Sequence, residues 1–161
     1  MKKFKNYTLK QYVEQLSQRT PVPGGGSAAA LAAALGAALV SMVAHYSLGK
    51  GKPALMERKI KKILKESEKL KKRFLALVDL DAQAYLAVVK ARKKSPKIKK
   101  AALKRAREVP LEVCNRCYEA VELTPFLVHH GNAYLVSDIQ VANELLLAAF
   151  KSAMVNVQIN T

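Results

Sequence analysis

The stretch that decides the fold is Pro21–Ala38, PVPGGGSAAALAAALGAA. Three consecutive glycines form a loop of bare backbone that a ligand or another segment can approach closely. The alanines that follow favour a helix whose side chains are almost all methyl-sized, so other helices can pack close to it. We expect Ser27 to cap this helix, whose first backbone N–H groups lack partners and attract a carboxylate or phosphate. The stretch therefore predicts a binding site inside a helical assembly.

Helices are predicted for the rest of the chain as well. No long stretch alternates between apolar and polar residues, so no strand is expected. Thr8 and Gln11 have the spacing of a capping box, and a second box, Ser137 with Gln140, opens the last helix. The sequence predicts an all-α fold, a multihelical bundle of long antiparallel helices in one domain over residues 1–161. The expected helices cover residues 8–19, 27–47, 54–92, 97–130 with a kink or restart at Pro110, and 138–158.

The positive charge of the chain is confined to one segment. The chain has 28 Lys and Arg against 12 Asp and Glu. Residues 50–107 hold 21 of the basic residues and five of the acidic ones, and the remainder is neutral. Such a segment attracts an anionic substrate or a nucleic acid, although a lysine-rich helix face is also an ordinary solvated surface. Because the segment lacks interleaved aromatic residues, a dedicated nucleic-acid module is not expected.

Membrane insertion and export are not expected. Residues 20–49 lack charge over a length that could cross a bilayer. Alanine, which contributes little to insertion, is the commonest residue of the segment, and large apolar side chains are few, so we expect a buried core helix. The basic N-terminus has no apolar stretch typical of a signal peptide. With two cysteines only, we expect a reduced, cytoplasmic protein.

The long third helix carries one acid on its apolar side. Asp81 lies within the apolar stripe, whereas Asp79, about 160° away, is expected to be a solvated partner of nearby lysines. A carboxyl on an apolar face has a raised pKa, which suits a general acid or base. The alternative is a structural carboxyl bonded to another helix. The stripe comprises Ile60, Ile63, Leu64, Leu70, Phe74, Leu77, Val78, Tyr85, Val88 and Val89.

Polar side chains on other helices give weaker signals. A file of residues on one face of the last helix can line a pocket or bond neighbouring helices; its polar members are Asp138, Ser152, Asn156 and Asn160. Cys114 and Cys117 form a CxxC pair inside a predicted helix, where two small packed residues are expected instead of a redox motif. His129 and His130 lack the spacing of a zinc site, so no metal is expected.

Five collinear segments carry a resemblance to a known family. They are TPVPGGGSAAA at residues 20–30, VDLDAQAY at 78–85, VPL at 109–111, Gly131-Asn132 with Ser137-Asp138, and NVQIN at 156–160. Through them, residues 8–160 resemble the cyclodeaminase/cyclohydrolase family of folate metabolism. That family includes the cyclodeaminase domain of formimidoyltransferase-cyclodeaminase and bacterial methenyltetrahydrofolate cyclohydrolases.

The resemblance implies an all-α homodimer that acts on the one-carbon bridge of tetrahydrofolate, with the folate as substrate and no other cofactor. It implies ring closure of 5-formimino-tetrahydrofolate with loss of ammonia, hydration of the methenyl form, or both. Asp81 is the expected proton donor and acceptor. The expected substrate-binding residues are Gly24, Gly25, Gly26, Ser27, Asn132, Ser137, Asp138 and Asn156. The basic segment would suit the anionic folate tail.

The sequence departs from the family pattern at two places. Val22 stands where the signature has threonine, and the sequence ends at Asn160-Thr161, where family members continue through another helix. The absent helix would leave an apolar face open or covered by a partner chain. The alternative hypothesis is therefore a non-catalytic, truncated family member that binds folate or RNA.

Overall fold

The computed structural model describes residues 3–49 and 51–160, and it is helical throughout, with no strand in these two ranges. This confirms the predicted all-α class. Two short 3-10 helices, Phe4–Asn6 and Ala133–Leu135, join the α-helices. The six α-helices are α1 Leu9–Leu16, α2 Gly25–Ser47, α3 Ala54–Ala91, α4 Pro96–Val121, α5 Thr124–His130 and α6 Val136–Ile159.

Four long helices build the bundle. Helix α2 packs against α3 and α6, and α4 packs against the same two helices, so α2 and α4 lie at one diagonal of a square and α3 and α6 at the other. Helices α2 and α6 pack closely at Gly36, because a Cβ atom there would be 2.8 Å from Leu146 Cγ. The small-residue helix predicted from the alanine run is thus a core helix.

Helix α4 runs through Pro110 without a break, so of the expected kink or restart the restart is wrong. A proline cannot donate a hydrogen bond to the carbonyl four residues earlier, which here belongs to Ala106. Asn160 Nδ2 donates to Ala106 O instead, at 3.1 Å. Because a side chain from α6 satisfies the orphaned carbonyl, α4 continues as a helix through Pro110.

The predicted 97–130 helix breaks later, between Val121 and Thr124. Pro125 has no N–H for the carbonyl of Val121, and the Thr124 hydroxyl donates to that carbonyl at 2.9 Å. The side-chain bond satisfies Val121 O without continuing the helix. The chain therefore restarts as the short helix α5, which ends at His130 with Gly131 following.

Of the two predicted capping boxes, one is present in the structure. The capping box of Thr8 with Gln11 is present. The Ser137–Gln140 box is wrong, because α6 begins at Val136 with no side-chain cap. The polar cap occurs earlier, where Asn132 Oδ1 accepts from the N–H of Tyr134 at 3.1 Å. Helix α1 also ends at Leu16, three residues before the expected end.

Two segments are long and apolar enough to cross a membrane by length and composition alone: α2 and Ala133–Ile159. Of the most apolar window in α2, 61% is buried inside the protein. The corresponding window of Ala133–Ile159 is only 22% buried, so α6 presents much of its apolar surface to the outside.

Candidate active site

A cavity of about 420 Å³ lies where the glycine loop meets the C-terminal part of α3 and the end of α6. Asp81 is the acidic residue in its lining. Tyr85, Val88 and Arg92 follow it along α3 at spacings of four, seven and eleven residues, which place them on one side of a helix. The other lining residues are Pro21, Val22, Gly24, Gly25, Gly26, Ala84, Ala106, Asn156, Ile159 and Asn160.

The environment of Asp81 favours the protonated form of its carboxyl. Burial disfavours the ionised form and raises the pKa to about 6, while a hydrogen bond from the backbone N–H of Ser27 partly opposes this rise. A group with a pKa close to the working pH exchanges protons in both directions, as a general acid–base catalyst requires. The raised pKa expected from the apolar stripe is therefore present in the structure.

Glycine at position 26 is what lets α3 bring Asp81 to the start of α2. A Cβ atom there would lie 2.6 Å from Asp81 Cγ and 2.9 Å from Oδ2, closer than carbon atoms of real side chains approach such groups. At Gly25 the nearest such atom is Asn156 Nδ2, at 4.0 Å. The close approach predicted for the glycine loop is therefore made by the protein's own carboxylate, and it depends on one glycine.

Ser27 does not cap α2, contrary to the expectation. Helix α2 begins at Gly25, with Gly24 as its capping residue and no side-chain cap. The Ser27 side chain is fully buried, and its Oγ lies 3.0 Å from the hydroxyl of Tyr12. Ser27 instead directs its backbone N–H to Asp81, so an internal carboxylate takes the place that we expected a ligand anion to fill.

Asp79 is buried, not solvated, so its predicted role as a partner of surface lysines is wrong. Its Oδ1 accepts a hydrogen bond of 2.7 Å from the backbone N–H of Phe4. The N-terminal segment folds over this side of α3, which helical periodicity within α3 cannot reveal. Asp79 and Tyr12 thus attach the N-terminal segment to α3 and α2.

The other predicted binding residues divide between the two ends of the bundle. Gly24–Gly26 and Asn156 line the Asp81 cavity. Asn132 lies at the far end of α2, where its N–H donates to Ser47 Oγ at 2.8 Å. Ser137 and Asp138 begin α6 at that same end. Because α2 has 23 residues, the two ends are about 34 Å apart, and one copy of the chain does not bring Asn132, Ser137 or Asp138 to Asp81.

The two cysteines, His129 and His130 are not part of the lining of the Asp81 cavity. Both cysteines are free and buried, and burial raises the pKa of the Cys117 thiol to about 12. His129 and His130 lie in α5, where the ring of His130 packs on Phe126. Across residues 3–49 and 51–160, no three His, Cys, Asp or Glu side chains are grouped to hold a metal ion.

Comparison with known proteins places this geometry in a family. A family model described as formiminotransferase-cyclodeaminase matches residues 8–161. The chain belongs to this family. A methenyltetrahydrofolate cyclohydrolase from Methylorubrum extorquens is 36% identical, over 96% of this chain and 79% of that protein. The resemblance first stated from the sequence motifs is confirmed.

Two further relatives define the extent of the match. The crystal structure of a formiminotetrahydrofolate cyclodeaminase from Thermotoga maritima superposes with a TM-score of 0.92 at 31% identity, over 96% of this chain and 78% of that one. Formimidoyltransferase-cyclodeaminase from Gallus gallus is 33% identical over 94% of this chain. The chain spans 30% of that longer protein.

Proposed function

We propose that this formiminotransferase-cyclodeaminase family member is an enzyme of tetrahydrofolate one-carbon metabolism, and that its chemistry takes place at Asp81. The substrates are 5-formimino-tetrahydrofolate, 5,10-methenyl-tetrahydrofolate or both. The observation that carries the proposal is a desolvated carboxyl with a pKa of about 6 beside a bare glycine loop. The activities that name the relatives support the same substrate class.

In the cyclodeaminase direction, one group can perform both proton transfers. Nitrogen N10 of the protonated formimino compound attacks the formimino carbon, and ionised Asp81 accepts the N10 proton. Protonated Asp81 then donates this proton to the departing nitrogen, the carbon–nitrogen bond breaks, and ammonia leaves with the methenyl cation formed. The proton that is taken up is returned, so Asp81 ends as it began.

The hydrolase direction uses the same carboxylate. Ionised Asp81 accepts a proton as water adds to the methenyl carbon, and then donates it to N5 as the bond between N5 and that carbon breaks. The second hydroxyl proton leaves to solvent, and 10-formyl-tetrahydrofolate is formed. Before the addition, the negative carboxylate stabilises the cationic carbon beside it, and the partly dry site strengthens this attraction.

The basic segment suits the acidic end of a folate. Arg92 lies at the edge of the Asp81 cavity, and α3 and the start of α4 carry most of the excess positive charge. A positive field of this kind raises the local concentration of an anionic substrate. We propose that Arg92 and neighbouring lysines attract the carboxylates of the tail while the ring system enters the cavity.

Three further features belong to the proposal. The protein acts as a homodimer, in the cytoplasm, with a tetrahydrofolate derivative as substrate and no other cofactor. Two buried, free cysteines are compatible with a reducing compartment. The same positive field also favours the alternative of a non-catalytic folate- or RNA-binding protein, which the following experiment separates from the enzyme.

The test measures methenyl absorbance with each substrate for the wild type, Asp81→Asn and Glu108→Gln. Glu108 is a matched control, since its side chain is 58% exposed on α4. We expect turnover by the wild type and control, and a loss of about 10²-fold or more in Asp81→Asn. Wild-type kcat/KM should rise with pH up to about 6 and then level off. Turnover of neither substrate, with salt-dependent RNA binding, would favour the alternative.

A further inference from the structure

The N-terminal segment through α1 contacts both helices that form the Asp81 site. The backbone N–H of Phe4 donates to Asp79 Oδ1, two residues before Asp81 on α3. The hydroxyl of Tyr12 lies 3.0 Å from Ser27 Oγ, in the first turn of α2. Both contacts are buried. One segment therefore joins the two helices whose close approach forms the site.

Tyr12 is a buried hydroxyl group that the proposed proton transfers do not use. It is the buried residue of α1, with 6% of its surface exposed. Burial raises the pKa of Tyr12, the hydrogen bond with Ser27 opposes this rise, and the negative charge of Asp81 adds to it. The hydroxyl therefore keeps its proton at neutral pH and can act as a hydrogen-bond donor there. The effect of Asp81 also shows that the two groups lie within electrostatic reach of each other.

Ser27 connects Tyr12 to Asp81. Its side chain is fully buried and contacts the Tyr12 hydroxyl, while its backbone N–H donates to the Asp81 carboxyl. Because hydroxyl dipoles orient in the local field, the negative charge of Asp81 favours the arrangement in which Tyr12 donates to Ser27 Oγ. The first turn of α2 is therefore held between a hydroxyl from α1 and a carboxyl from α3.

The first turn of α2 has little room to move beside Asp81. A Cβ atom at Gly26 would lie 2.6 Å from Asp81 Cγ, so the bare backbone of this turn packs directly on the carboxyl. Residues 20–49 include no Asp, Glu, Lys or Arg, so no ion pair ties the turn to α3. Hydrogen bonds hold it instead, and each of them contributes only modestly. The contact with Tyr12 is therefore a substantial part of what fixes the turn against the carboxyl.

We infer that Tyr12 is a positioning residue for the reaction at Asp81: its hydroxyl holds Ser27, and with it the first turn of α2, against the Asp81 carboxyl. Among the described residues that line the cavity, neither Tyr12 nor Ser27 is included, so both act through Asp81 and not by contact with the substrate. The effect on turnover rests on the proposed function. The effect on the Asp81 carboxyl itself does not, because the contact is made within the protein.

Removing the Tyr12 hydroxyl should raise the pKa of Asp81. The hydrogen bond from the Ser27 N–H lowers this pKa because it stabilises the ionised carboxylate. When the first turn of α2 is held less firmly, that bond weakens and the pKa rises. The O–H dipole of Tyr12 has its positive end toward Asp81, so its removal acts in the same direction.

Among the described residues, the other ionisable groups that line the cavity or flank Asp81 lie on α3. Tyr85 and Arg92 line the same cavity. Asp79, two residues before Asp81, accepts its hydrogen bond from the N-terminal segment. The residues of α2, α4 and α6 that line the cavity are uncharged. The substitution Tyr12→Phe changes none of these groups, so a shift in the pKa of Asp81 reports on the hydroxyl that is removed.

The first test titrates Asp81 directly by NMR of protein labelled with ¹³C in its aspartate carboxyls. The chain has three aspartates, and Asp81→Asn identifies the resonance of Asp81. Tyr12→Phe keeps the buried ring and should raise the midpoint by about half a pH unit, a threefold change in acid dissociation that one hydrogen bond can supply. Ser27→Ala should shift it in the same direction. Tyr118→Phe, whose side chain is 66% exposed on α4, is the control and should leave the midpoint unchanged.

The variant that carries both Tyr12→Phe and Ser27→Ala should shift the midpoint no further than the larger single shift, because both substitutions remove the same contact. An unchanged midpoint in Tyr12→Phe, or additive shifts in the double variant, overturns the inference. Should Tyr12→Phe not fold, an unchanged midpoint in Ser27→Ala overturns it equally.

Turnover gives a second readout, which separates positioning from a loss of folded protein. Ionised Asp81 is the active form, so the rise of kcat/KM with pH should extend to higher pH in Tyr12→Phe. The variant should fall about threefold below the wild type at pH 5 and approach it at pH 8, with the loss in kcat and not in KM. A loss by the same factor at every pH would overturn the inference. A wild type that turns over neither substrate rejects the proposed function, and the NMR titration still tests the role of Tyr12.

Discussion

Replacing Asp81 by asparagine should stabilise the protein at neutral pH while removing its activity. Burial holds the pKa of Asp81 at about 6 instead of 3.8. Since a tenfold change in acid dissociation corresponds to about 1.4 kcal/mol, the ionised carboxylate costs the folded state about 3 kcal/mol. Asparagine avoids this cost and retains an oxygen that accepts from the Ser27 N–H, although its amide N–H groups need new partners. The expected net gain is about 2 kcal/mol, or about 4–8 °C in Tm.

The raised pKa of Asp81 also determines how the stability difference between the wild type and Asp81→Asn changes with pH. The pKa is raised on folding, so the folded chain binds the proton more tightly, and the cost is absent below pH 4, where Asp81 is protonated in both states. It grows between pH 4 and 6 and is complete above pH 6. Chemical unfolding of the wild type and Asp81→Asn at pH 4 and 7.5 should show a difference that appears only at the higher pH. Equal stabilities at pH 7.5 would refute the reasoning that Asp81 is desolvated.

Two more substitutions test the contacts that α3 makes with α2 and with the N-terminal segment. Gly26→Ala should destabilise the chain and abolish activity, because its Cβ atom would overlap the Asp81 carboxyl. Gly25→Ala is the control: it has open space beside it and should fold with a Tm near that of the wild type. Equal Tm values for the two variants would contradict the close approach of Asp81 to Gly26. Asp79→Ala should cost about 1–3 kcal/mol in denaturant unfolding, because it leaves the N–H of Phe4 buried without its acceptor. An unchanged unfolding midpoint for Asp79→Ala would show that the N-terminal segment does not depend on this bond.

The sequence predicts a feature correctly where all the residues that decide the feature lie within one helix. The capping box of Thr8, the small-residue helix α2 and the apolar stripe of α3 depend on neighbours in sequence, and each is present in the structure. The position of Asp81 within the apolar stripe predicts that its carboxyl is buried, and burial raises its pKa. Tyr85, Val88 and Arg92 could have been added to the site from the same helical spacing.

The predictions from local sequence are wrong where a residue's hydrogen-bond partner comes from a distant segment of the chain. A restart was one expectation at Pro110, but α4 continues through it, and Asn160, fifty residues later, satisfies the carbonyl that the proline leaves free. Asp79 was expected in solvent, but the N–H of Phe4 reaches it from the other end of the chain. Ser27 was expected to cap α2, but the hydroxyl of Tyr12 engages its side chain.

The amino-acid sequence by itself determined the helices, the close packing around α2 and the acid that carries the proposed chemistry, since each follows from periodicity and side-chain size. Only the tertiary structure decided what meets the glycine loop. An anion was expected there from the free N–H groups of the helix start, and the packing of α3 against α2 shows that it is Asp81 itself. Helical periodicity specifies the direction of a side chain, but the packing between helices specifies what that side chain meets.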